Sequence, residues 1–243
     1  MELKRKPRGD RIFRGSYTYH KNDTVYAEEA FEVFRDKKEL AMSYFSQMHS
    51  RVATGELLTI YVDYQINKDA IPQRVYIERN MGNEWTKETY ELDKKTGLLL
   101  YNFESRHGEN DSEVTVASRF HVSIPATAPS MLFLKTKKED PTNKNYYSVV
   151  QAHNHWKFEA DPIARTIAIQ RTNVGLENVN IDGQNLQATQ YKVYEDADVD
   201  EDKNPNPPNI RVFVSKHHTI PYLVRTDDGT RIQIKNLSDL DND

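Results

Sequence analysis

The sequence predicts an all-β protein with minor helix, a strongly curved antiparallel sheet or pair of sheets of about twelve strands forming a barrel or half-barrel clam. Three observations predict it. Apolar residues alternate with polar ones along most of the 243 residues, turn formers recur at short spacing between those runs, and aromatic side chains gather on the alternating positions.

The clearest strand covers 57–66. There Leu58, Ile60, Val62, Tyr64 and Ile66 alternate with Thr59, Tyr61, Asp63 and Gln65, and because successive strand side chains point to opposite sides, the segment has one apolar and one mixed face. The same rhythm marks Val25 with Phe31 and Val33, Val75 with Ile77, and Val114, Val116, Phe120, Val122 and Ile124. It continues at Trp156 and Phe158, Ile167 and Ile169, Tyr191 and Val193, Ile210 with Val212 and Val214, and Ile232 with Ile234.

Between these runs stand Lys21-Asn22-Asp23, Asn67-Lys68-Asp69, Met81-Gly82-Asn83, Lys95-Thr96-Gly97, Asp182-Gly183 and Asp227-Asp228-Gly229. Asn, Asp and Gly tolerate the positive φ of tight turns, so these points read as hairpins, with Asp228-Gly229 the sharpest. The best helical window is 127–136, where Pro129 fits a first turn ahead of Met131, Leu132 and Leu134. A weaker window, 37–49, contains Tyr44 and Phe45 and fits a strand equally well.

One β domain over 1–243 is expected, made of strand sets 10–125 and 145–237 joined by a Pro- and Lys-rich segment at 126–144. An acidic, proline-rich stretch at 196–209 separates two late strands and reads as an exposed loop.

A net charge of −4 and a pI near 6.1 provide no broad basic field, which argues against nucleic acid as a partner. Lys4, Arg5, Lys6 and Arg8 form only a short basic run. The absence of cysteine excludes disulfides, thiolate metal sites and cysteine nucleophiles. No window approaches the ~18 apolar residues of a membrane span. With no apolar leader after Met1, the expected location is cytoplasmic, or periplasmic if an export signal has been removed.

The opening Gly15-x-Tyr17-x-Tyr19, the Phe31-x-Val33-x-Arg35 strand, and the long alternating strands ending at Ile71-Pro72 resemble bacterial half-barrel proteins of the LolA/LolB type and their DUF3108-like relatives. Ile220-Pro221-Tyr222, Asp228-Gly229 and Ile232-x-Ile234 fit the same pattern. The resemblance implies a curved antiparallel sheet folded round an apolar cavity that holds acyl chains or other lipophilic molecules. The 243 residues show neither an apolar run after Met1 nor the cysteine of the lipoprotein carriers, so the cavity-forming architecture is what is expected to carry over.

Motif chemistry is sparse. His153 and His155 could share a strand face and contribute to a metal site, but the ordinary reading is strand histidines. His217-His218 diverge near a turn. Asp196, Asp198 and Asp200 have the odd spacing of a calcium loop, yet the sixth position is Glu201 and the twelfth Pro207, which excludes an EF-hand. No phosphate loop, nucleophile elbow or zinc-protease string occurs. Neither a metal nor a cofactor is expected.

The aromatic strand positions are the remaining signal. Tyr17, Tyr19, Phe31, Tyr64, Trp85, Tyr90, Phe120, Trp156 and Phe158 are the candidate ligand-binding residues, since a curved sheet of many strands encloses more volume than its side chains fill. Arg74 with Glu78, Arg119 with His121, and Glu159 near His155 are candidate polar groups, with no catalytic residue singled out. The expected function is binding of a lipophilic or aromatic small molecule. The alternatives are a cofactor-independent isomerase, cyclase or hydratase acting on such a metabolite, or a protein interaction module.

Overall fold

In the computed structural model, which describes residues 7–173, 175–194, 209–215 and 219–240, the chain starts as an eight-strand meander. Its strands are β1 (Asp10–Lys21), β2 (Thr24–Asp36), β3 (Ala41–Arg51), β4 (Leu57–Ile66), β5 (Pro72–Met81), β6 (Glu84–Leu92), β7 (Leu98–Ser105) and β8 (Gly108–Thr115). Each pairs antiparallel with the next. After the short β9 (Phe120–Val122) the chain makes one 3₁₀ turn (Leu132–Lys135). It then resumes as β10 (Lys144–Gln151), β11 (Ile163–Arg171), β12 (Glu177–Ile181), β13 (Gln184–Tyr194), β14 (Ile210–Ser215), β15 (Pro221–Arg225) and β16 (Thr230–Asp239).

The last strand returns to pair with the first. One sheet therefore runs β8 through β1 and on through β16, β15, β14, β13, β11 and β10 to β9, while β12 folds back on β13. All these pairs are antiparallel except β9 with β10. The sheet curls until β9 lies against β5 and β8 against β11, but no ladder joins its two edges. The result is a large, curved, non-closed sheet, as the alternation predicts. No helix among the described residues is long and apolar enough to cross a membrane.

The predicted turns fall where positive φ is needed. Asn22 and Asp23 have φ of 47° and 68°, Asp182 and Gly183 of 49° and 84°, and Gly229 of 84°. The first two pairs suit the primed two-residue turns that match strand twist, whereas Asp227-Asp228-Gly229 is a three-residue loop that ends in a left-handed glycine, with Gly229 N donating to Thr226 O at 3.3 Å.

Three expectations need correction. The described residues form sixteen strands rather than about twelve. β6 shows no apolar alternation, although Trp85 and Tyr90 were named as strand positions, because its inward positions are Thr86, Glu88 and Tyr90, so burial does not coincide with hydrophobicity. Trp156 and Phe158 are not on a strand. Asn154, fully buried, accepts the Glu159 and Ala160 amides on Oδ1 at 2.8 and 3.2 Å and donates from Nδ2 to Ala160 O and the Tyr101 hydroxyl, so one side chain replaces the ladder. The 127–136 window shortens to successive i→i+3 bonds from Thr127 to Thr136, and 41–51 is strand. The Asp196–Asp200 and His217-His218 readings lie outside the described residues.

Candidate functional site

Residues 120–136 form a strap inside the clam. It begins in register with β10, where Phe120, His121 and Val122 pair with Ser148, Val149 and Val150. Pro125 and Pro129 remove backbone donors and so end the ladder. The tight turns that follow aim side chains two ways: Leu132 joins the main core with Tyr64, Val75 and Phe103, whereas Met131 and Phe133 join a second cluster with Tyr147, Ile169, Tyr191 and Val212.

Between strap and sheet lies a cavity of about 370 Å³, open on one side and mostly apolar. Its floor includes a single cross-strand row. Val212, Val224, Ile232 and Tyr19 stand directly opposite one another across β14, β15, β16 and β1, with Val193, Ile210, Ile167 and Val149 beside them. Direct cross-strand pairs place side chains about 5 Å apart, which makes the row one continuous surface. The strap supplies the roof through His121, Pro125, Thr127, Met131 and Phe133.

Two buried polar contacts fasten strap to meander. At the first, Tyr19 donates to Glu29 Oε2 at 2.5 Å, the Thr127 amide donates to the same oxygen at 2.9 Å, and the Tyr19 and Thr127 hydroxyls are 2.7 Å apart. Burial raises the Glu29 carboxyl above the usual carboxylate range, and the Tyr19 and Thr127 bonds offset this only in part. The Ser46 hydroxyl and Ala128 amide also act to lower it, yet Glu29 Oε1 and Ser46 Oγ complete no hydrogen bond of acceptable geometry.

At the second contact, Tyr64 reaches from β4 to the strap. Its oxygen accepts the Val122 amide at 3.0 Å and sits 2.8 Å from His121 Nδ1. The two rings stack at 5.2 Å, and Phe133 closes edge-on against the imidazole at 5.4 Å. Burial pushes the His121 pKa down to about 3, so the ring is neutral across the physiological range.

The nine sequence-named aromatics are dispersed. Tyr19 lines the cavity. Tyr64 sits behind it as the partner of His121. Tyr17 donates to Pro221 O at 2.9 Å, stacks on Phe31 at 5.2 Å and borders a smaller hollow of about 220 Å³ with Glu29 and His49. Phe120 is in the main core. Tyr90, with Tyr101 and Arg79, surrounds the buried Glu88 carboxylate. Trp85 lies half-buried under Lys87, Phe158 packs toward Phe103, and Trp156 is half-buried in the 152–162 loop.

Of the polar candidates, His121 alone faces the cavity. Arg74 pairs with Asp63 at 3.6 Å, Glu78 accepts from Tyr76 and Asn80, and Arg119, His153, His155 and Glu159 are exposed. Glu29, Thr127 and the aliphatic floor were not singled out by sequence. The alternation puts Glu29 in phase with Val25, Phe31 and Val33 and so on the inward face, but nothing in the local sequence shows that this glutamate meets the strap 98 residues away.

This geometry defines a β-barrel-like open sheet with a roofed apolar pocket. Neither a sequence family nor a curated protein matches the chain. Among solved structures it is similar to a β-barrel-like protein of the DUF1849 domain of unknown function from Brucella abortus, with TM-score 0.59 and 10% identity over 96% of this chain and 99% of that one. It is also similar to a DUF1089 family protein from Pseudomonas aeruginosa, with TM-score 0.51 and 8% identity over 83% and 90%. At such identities the likeness is one of fold, shared with bacterial β-barrel-like proteins.

Proposed function

We propose that the protein binds a lipophilic small molecule in the pocket beneath the strap, with Tyr19 the sequence-named aromatic that touches it. The observation that carries this reading is the Val212–Val224–Ile232–Tyr19 row, which faces about 370 Å³ of open volume instead of packed side chains. Protein interiors are otherwise close-packed, and the volume falls in the range of small-molecule pockets. The half-barrel pattern in the sequence supports the same use of the fold, and β1–β16 pairing suits both strand sets folding as one unit. The test is titration with the uncharged lipophilic dye Nile red. Saturable binding is expected, and Val224→Trp, which fills the cavity from its floor, should weaken it at least ~10-fold with little change in melting temperature. Unchanged affinity in a folded Val224→Trp protein would remove the pocket from consideration.

A second reading, a cofactor-independent enzyme acting on such a molecule, is favoured by one observation. A carboxyl with a raised pKa stands behind the Tyr19 wall of the cavity, and an imidazole with a lowered pKa stands in its roof. Groups displaced in opposite directions are suited to proton transfer. Glu29→Gln and His121→Gln should then abolish turnover while Nile red affinity stays within ~3-fold.

A further inference from the structure

We propose that the pocket's ligand is an uncharged lipophile with a hydrogen-bond acceptor, such as a ketone or ester, and that the His121 Nε2–H reads that acceptor; this rests on the ligand-binding reading above.

Tyr64 is 0% exposed. A buried O–H left without an acceptor is costly. The Tyr64 oxygen already receives the Val122 amide at 3.0 Å, and the acceptor within reach of its proton is His121 Nδ1 at 2.8 Å. Nδ1 must therefore be the unprotonated nitrogen. A neutral imidazole has one proton, so it resides on Nε2 and makes that atom a donor. His121 lines the cavity, and Nε2 has no protein partner among the described residues. Burial keeps the ring neutral by holding its pKa near 3.

The other polar groups around the cavity are less suited to the task. The Tyr19 hydroxyl lies between Glu29 and Thr127, and Ser130 donates to Thr127 O at 2.8 Å. Ser123 is exposed and Gln151 half-buried, so water competes for both. Charge selects further. Among the described residues no Lys, Arg, Asp or Glu lines the cavity, and a carboxylate or ammonium group buried against them would lack a counter-charge. Free fatty acids in their ionised form are thereby disfavoured, and molecules of similar shape with a neutral carbonyl are preferred.

Three probes of matched size test this by displacement of Nile red from the full chain at about pH 8, where a carboxylic acid is ionised: 2-octanone, octane and octanoate. The ketone should bind ~10-fold more tightly than the alkane and at least ~10-fold more tightly than octanoate. In His121→Phe, which preserves an aromatic ring against Tyr64 and Phe133, the ketone's advantage over the alkane should vanish. Equal affinity for ketone and alkane, or tightest binding of octanoate, overturns the inference and leaves the ligand-binding reading standing. Failure of Nile red and all three probes to bind overturns both. If His121→Phe does not fold, the wild-type ranking decides together with the long-range ¹H–¹⁵N spectrum of the imidazole. The Nε2–H tautomer supports the assignment, and an Nδ1–H tautomer overturns it.

Discussion

Tyr19 and Glu29, diagonal neighbours on β1 and β2, share a 2.5 Å hydrogen bond that also captures the strap, because Thr127 donates to the same carboxylate oxygen. The two strands alone would not need this contact. It links the meander to a segment about a hundred residues away in sequence, since Glu29 and Thr127 are 98 residues apart. Tyr19→Phe should therefore cost more than a surface hydroxyl, about 1–3 kcal/mol, because a buried carboxyl loses a donor. Glu29→Gln should act in the opposite direction at neutral pH. Its carbonyl can accept both existing bonds, its amide can donate toward Ser46, and no charge is buried. Urea unfolding at neutral pH checks both, and a Glu29→Gln midpoint below wild type would contradict this account.

The His121 pKa makes stability depend on acid in a defined window. The imidazole titrates near 6.5 when unfolded and near 3 when folded. Between those values the unfolded chain binds more protons, so stability rises with pH and is lost as pH falls from about 6.5 toward about 3, by up to ~1.4 kcal/mol per pH unit. Glu29 has the opposite sign. Its folded pKa lies above the unfolded 4.5, so its contribution is full below 4.5 and declines as pH rises through the folded value. His121→Phe should flatten the acid limb between about pH 6 and about pH 4, read from urea midpoints at each pH. An unaltered slope would mean that other groups set it.

Legibility in the sequence followed a simple physical line. Where burial and hydrophobicity coincide, as in Leu58 to Ile66 or Ile210 to Val214, alternation revealed both the strand and its inward face. Where inward residues are polar, it failed. Glu88 and Thr86 on β6 are as buried as any valine, and Asn154 organises a loop that its aromatic neighbours disguised as a strand. The pocket was harder still. Tyr17, Phe31, Tyr64 and Tyr90 have the same spacing whether they fill a core or line a hollow, and only cross-strand register, which brings Val212, Val224, Ile232 and Tyr19 into one row, separates the two. Register between strands distant in sequence is not encoded in local pattern.

Gly15 illustrates a tight backbone approach that the alternation could only hint at. It stands opposite Phe31 in the β1–β2 register, and a Cβ there would meet both the Phe31 ring and the Asn236 carbonyl oxygen at 2.6 Å. Gly15→Ala should destabilise by about 1–3 kcal/mol through overpacking. Adding Phe31→Leu should recover only part of that loss, because the ring can be trimmed and the Asn236 backbone cannot. Full recovery in the double variant, measured by urea unfolding, would show that the ring alone makes the contact.

The outer face of the pocket strands has its own cross-strand row, one residue out of phase with the apolar floor. Lys192, Arg211, Arg225 and Arg231 stand directly opposite one another across β13 to β16, and His20 follows on β1. Like charges directly opposed on a sheet are destabilising. Among the described residues no carboxylate pairs with Arg211 or Arg225, while Arg231 reaches the exposed Asp23 at 3.9 Å and His20 Nδ1 at 3.5 Å. Arg225 gains a little from the Phe213 ring at 6.0 Å, a separation at the limit of useful cation–π attraction. Arg225→Glu would place an anion between two arginines. It should stabilise the fold by ~1 kcal/mol at low ionic strength, and Arg225→Thr by about half as much through relief of repulsion alone. Because the charges are exposed, both gains should shrink toward zero in about 1 M salt, where the Debye length falls to ~3 Å. Loss of stability in Arg225→Glu at low salt, or a gain indifferent to salt, would show that repulsion along the row does not govern this face.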